Sequence, residues 1–191
     1  MVVPLPGQLV SSAVIFGKLP AHGDFLCRGM TAAQQTEFDT ALSQSLHAAQ
    51  QRFGEGYRDG FLAAPPWRCV IAVEGGYLGG ALAPSMDRAE RLFPIFLARQ
   101  SASHSEAAEG ARACEDLLFR AIPELWPVDR LLTEAEALQP RSDRDANADA
   151  EAKQGWWLDG GETLPTPTPH LSGTVPGSLI EEMIAVTGQL A

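Results

Sequence analysis

The residues able to do chemistry are concentrated in two loops. One is LPAHGDF, with His22, Gly23 and Asp24, and the other is PSMDRAERLFP, with Ser85, Asp87, Arg88 and Arg91. A histidine two residues from a carboxylate supplies an acid/base pair, and Ser85 is the hydroxyl such a pair could activate. His22, Asp24 and Asp87 together would suit zinc or a harder cation. Either chemistry needs segments far apart in the sequence to converge, and no GxSxG or HExxH string supports it locally. The same residue types also tie loops together. A carboxylate in a Gly/Pro turn accepts hydrogen bonds from its own backbone, and Arg88 or Arg91 can pair with Asp24 or Asp87. Three readings are therefore open: a small hydrolase or metal-dependent enzyme, a structural lock, and a surface that another protein grips.

The elements that must hold these loops are legible in part. Ala13–Leu19 has the length and Val/Ile/Phe content of a strand, and Pro20 ends it. Thr31 with Gln34 has capping-box spacing, and Phe38, Leu42, Leu46, Ala49 and Phe53 follow at helical intervals, predicting a helix over 32–53 stopped by Gly54. Residues 55–66 read as a connection. Trp67–Glu74 reads as a central strand, with Trp67, Cys69, Ile71 and Val73 on one face and Val70 and Ala72 on the other. Gly75-Gly76 signals a hairpin returning through Tyr77–Ala83. GGYLGG lacks the spacing and the following helix of a phosphate loop, so its glycines read as close-packing positions.

Ile95–Arg99 reads as another strand. Ser103 with Glu106 starts a second amphipathic helix that ends before Pro123, and a shorter helix follows within 125–138. Residues 139–154, charged and Ala-rich with no large apolar side chain, read as a mobile acidic loop. Trp156–Leu158 reads as a short strand, TLPTPTP at 163–169 as neither helix nor central strand, and Ser178 with Glu181 caps a last helix carrying Leu179, Met183, Ile184 and Leu190. This order predicts an α/β fold, a three-layer αβα sandwich with a mixed central sheet, in a single domain over 1–191.

Composition narrows the partners. With 14 Lys+Arg against 24 Asp+Glu the net charge is -10, which disfavours a nucleic-acid backbone and an anionic membrane. No apolar run reaches transmembrane length, and MVVPLPGQLVSS has no basic n-region, so neither membrane insertion nor a secretory signal is expected. Cys27, Cys69 and Cys114, widely spaced in apolar context, read as reduced thiols in a cytoplasm. His47, His104 and His170 lack neighbours that suggest a metal, and the four tryptophans read as packing. No cofactor is expected.

FGKLPAHGDFLCRG (Phe16–Gly29), PWR (Pro66–Arg68) and PSMDRAERLFP (Pro84–Pro94), taken together and in this order, resemble the signature blocks of the TagF/ImpM family of bacterial type VI secretion-associated proteins. The WW at Trp156-Trp157 and the closing helix are similar to that family's C-terminal part. The resemblance implies a cytoplasmic accessory protein with a three-layer α/β fold and no catalysis of its own. It also implies post-translational restraint of the secretion apparatus, opposite to a kinase and phosphatase pathway, through binding to a forkhead-associated scaffold protein. The family's patterned residues fall on Gly17, Lys18, Pro20, Gly23, Asp24, Pro66, Trp67, Arg68, Pro84, Ser85, Asp87, Arg88, Arg91, Phe93 and Pro94. Glu90 stands where the pattern leads one to expect glycine.

Overall fold

The computed structural model describes residues 12–138, 154–158 and 170–187. In chain order its elements are β1 (Ala13–Gly17), β2 (Leu26–Arg28), α1 (Ala32–Phe53), α2 (Tyr57–Ala63), β3 (Trp67–Val73), β4 (Gly76–Ala83), β5 (Ile95–Ser101), α3 (His104–Ala121), α4 (Val128–Ala137), β6 (Gly155–Trp157), β7 (His170–Leu171) and α5 (Leu179–Thr187). The segment 139–153, most of the expected acidic loop, lies outside the described residues, as do 163–169 and Leu190.

The strands form one sheet in the order β2-β1-β5-β4-β3-β6-β7. The α/β class holds, but the sheet is not mixed: every pairing among the described residues is antiparallel. The reason lies in β2, which the sequence did not reveal. It folds back on β1, with Gly17 opposite Leu26 and Ile15 opposite Arg28, so the chain has already reversed before α1 begins. A helix leaving the sheet after such a reversal does not make the direct crossover that parallel pairing requires. β3, β4 and β5 then follow as a meander, and β1 adds to the far edge of β5 with Gly17 opposite Ile95.

Local signals explain most of the boundaries. At the start of α1 the Gln34 amide donates to Thr31 Oγ1 at 3.3 Å, and the Thr31 amide donates to Gln34 Oε1 at 2.9 Å, a complete capping box. Ser103 caps α3 by accepting from the Glu106 amide at 3.3 Å. The β3–β4 turn is Glu74-Gly75, one residue earlier than the Gly-Gly pair suggested, since Val73 already pairs with Gly76. Residues read as a plain connection instead hold a 3-10 turn at Gly54–Gly56 and α2, whose Tyr57 and Phe61 are buried.

The alternation of each strand sorts the core into two clusters. Val14, Phe16, Trp67, Cys69, Ile71, Leu82 and Phe96 pack with residues of α1, α2 and α5, while Ala13, Ile15, Ala81, Ile95 and Leu97 pack with residues of α3 and α4. Helix α3 lies so close to β4 that a Cβ on Gly79 would overlap the carbonyl oxygen of Ala107. Gly79 permits that approach by having no side chain. One end of this sheet, where β1 ends and β5 begins, carries both loops singled out above.

Candidate functional site

Because β1 ends opposite the start of β5, the turn after β1 and the turn before β5 leave the sheet side by side. They are bonded to each other through the backbone: the Arg88 amide donates to the His22 carbonyl at 2.8 Å. A second tie comes from Arg91, whose Nη2 donates to the Gly23 carbonyl at 2.8 Å. The 85–93 turn is closed internally by Phe93 N–H to the Ser85 carbonyl at 3.1 Å and by a bridge between Met86 and Leu92.

Asp87 is the centre of this arrangement. Its carboxylate is fully buried yet accepts from four donors: the Ala89 amide at 2.9 Å and the Arg91 amide at 3.0 Å on Oδ1, and Arg91 Nε at 2.7 Å on Oδ2, which also meets Lys18 Nζ at 3.1 Å. Burial alone would favour the protonated acid. The Arg91 amide, the Lys18 and Arg91 side chains and the Ala89 amide outweigh it and hold the carboxyl well below the usual carboxylate range. Lys18, only 15% exposed, also donates to the Arg91 carbonyl at 3.4 Å, so a single lysine from β1's end grips both the side chain and the backbone of the second turn.

His22 is engaged elsewhere. Its Nε2 accepts from the Val128 amide at 2.8 Å, which ties the corner to the first turn of α4. A ring that accepts at Nε2 is unprotonated there, so the neutral tautomer carries its proton on Nδ1. Ser85 is buried, with an Oγ that finds no hydrogen-bond partner among the described residues. Asp24 is exposed and makes no hydrogen bond or ion pair with another described residue. His22, Asp24 and Asp87 thus point to separate tasks, and among the described residues no three His, Cys, Asp or Glu side chains are arranged to hold a metal. Two of the buried thiols are equally ill-suited to chemistry: burial raises Cys69 well above its ordinary value and pushes Cys114 up to about 12.

The two corners leave a set of groups at the surface. Phe25 is 38% exposed and rests edge-on against Phe16 and Phe93, with ring centroids 4.8 and 5.1 Å apart. Arg88 is exposed beside Gly23, where a Cβ would lie 3.6 Å from its Nη2, and its guanidinium has no partner among the described residues. Glu90 adopts φ 59°, the left-handed conformation that favours glycine, and pairs with Arg58 of α2 at 3.4 Å. The sequence reading missed two participants here. Phe25 lacks a polar signal, and Val128 is separated from His22 by 106 residues, so no local pattern links them.

Comparison with known proteins bears on the same region. The family model of the TagF N-terminal domain, described as type VI secretion system-associated, matches residues 14–138, which include both corners. The crystal structure of PA0076 from Pseudomonas aeruginosa PAO1 superposes with a TM-score of 0.69 at 24% sequence identity, covering 91% of this chain and 94% of that chain. At that identity the likeness is one of fold. No curated protein matches the sequence.

Proposed function

This chain belongs to the TagF family of type VI secretion system-associated proteins, and from that premise we propose that it is a non-catalytic cytoplasmic regulator that restrains assembly of the secretion apparatus by binding another protein, a forkhead-associated scaffold. The observation that carries the proposal is the division of labour at the rim. Asp87, Lys18 and Arg91 are consumed in holding two loops together and the His22 ring in tying them to α4, whereas the side chains of Asp24, Phe25 and Arg88 reach solvent. A catalytic reading would need the opposite, with the acid, base and nucleophile free and the surface groups incidental. Instead the saturated carboxylate and the accepting imidazole work as struts. An exposed arginine and a partly exposed aromatic ring, Arg88 and Phe25, are residue types that protein interfaces favour.

The test uses the purified full chain and the purified scaffold protein of the same secretion system. Calorimetric titration is expected to show saturable binding, weakened roughly tenfold in Arg88→Glu with the melting temperature unchanged. No heat of binding with the folded wild-type chain would remove the proposal, and hydrolytic activity of the wild type that is lost in a folded His22→Gln variant, which keeps an acceptor for the Val128 amide, would replace it with the enzyme reading.

A further inference from the structure

A second surface stands on a different observation. Beyond α3 the chain makes one more helical turn, with Glu124 N–H bonded to the Arg120 carbonyl at 3.1 Å, and then closes with Trp126 N–H to the Ala121 carbonyl at 2.9 Å and Leu125 N–H to the Ile122 carbonyl at 3.3 Å. This six-to-one and five-to-two pair is a Schellman cap, and its hydrophobic contact is present because Ala121 and Trp126 share one core cluster. The residue at the left-handed position of such a cap is ordinarily glycine. Here it is Leu125, at φ 54°, with its side chain 59% exposed. Folding gains nothing from this choice, since a bulky residue in that conformation is strained and its apolar surface remains in water.

The surroundings are those of a contact site. Phe119, on the last turn of α3, is 58% exposed. Arg130 stacks on the Trp126 ring with its guanidinium 3.7 Å from the centroid and Arg120 lies 5.4 Å from it, so two exposed guanidinium groups are held at the residue next to Leu125 in the chain. Trp126 itself is fixed by Nε1 donating to Glu124 Oε2 at 2.7 Å. Val128, three residues on, is the donor to His22, so Leu125 lies within about 11 Å of that junction along the chain.

We propose that Leu125 and Phe119, framed by Arg120 and Arg130, form an apolar anchor that enters a cleft with an acidic rim on a protein partner, extending the surface made by the two corners. The occupant follows from charge. A chain of net charge -10 repels a second copy and an anionic membrane, while arginines ordered on Trp126, next in the chain to Leu125, match carboxylates around an apolar cleft. The identity of the partner rests on the scaffold-binding reading above.

Leu125→Gly separates function from folding. Glycine suits the left-handed position, so the variant is expected to melt at a higher temperature and yet bind the purified scaffold at least about tenfold more weakly. Phe119→Ser and Arg120→Glu should each weaken binding, the latter most at low salt. If wild type binds and Leu125→Gly binds as well as wild type, the anchor is overturned while the scaffold reading survives. Should the wild type not bind at all, both fail. A wild-type dimer in sedimentation that Leu125→Asp dissolves would assign the surface to a second copy and likewise overturn the acidic partner.

Discussion

Asp87 shows how little a residue's type says about its task. As an acidic side chain near a histidine and a serine it resembles a catalytic group, but four donors on its two oxygens make it the fastening of two loops. That environment has a pH signature. The folded carboxyl is held below its ordinary range, so its contribution to stability is complete above about pH 4, the ordinary carboxylate value, and is lost as the pH falls toward the depressed folded value. Asp87→Asn is therefore expected to melt at a lower temperature than wild type at neutral pH and to lose less on acidification. Parallel melting curves across the acid range would refute this account. The sequence made Asp87, Arg88 and Arg91 candidates without telling them apart; burial of the first and exposure of the second did so.

At the scale of elements, the chain's own punctuation settled a good deal. The α1 boundaries, 32 to 53, follow from a capping box and a terminal glycine, both local, and they coincide with the observed helix. Short edge strands escaped because β2 and β7 have three and two residues, too few for an alternating pattern to show. α2 escaped because its YRDGFLA carries a glycine and little periodicity, and it is stabilised by burying Tyr57 and Phe61 rather than by propensity. GGYLGG was read as close packing, and Gly79 sits where α3 passes over β4. Gly79→Ala would drive a methyl into the Ala107 backbone, with an expected loss of about 3 kcal/mol in urea unfolding. A loss below about 0.5 kcal/mol would mean that α3 moves away freely.

For the whole molecule, the pair that crosses between sheet and helix is as telling as the rim. Arg68 of β3 donates from Nε at 2.9 Å to Glu115 of α3, both nearly buried. Arg68→Met takes the guanidinium away from a nearly buried carboxylate and should cost about 3–5 kcal/mol, while Arg68→Met with Glu115→Leu should recover most of it. A double variant as unstable as the single one would show that the charges themselves are needed. PWR was legible as a motif, yet nothing near Glu115 announces its partner 47 residues earlier. Among the described residues no helix is long and apolar enough to cross a membrane.

What the amino acids alone determined was governed by near neighbours: the capped starts of α1 and α3, the stop of α1, the apolar faces of β3, the family blocks and the acidic balance. Tertiary structure decided the sheet's antiparallel sense, the fastening of His22 to Val128 and of Gly23 to Arg91, and which polar groups are struts and which face solvent. The reason is physical. Capping and periodicity are satisfied within a turn or two of chain, whereas the fate of a charge depends on donors brought to it from distant segments, and those exist only once the sheet has aligned the ends of β1 and β5.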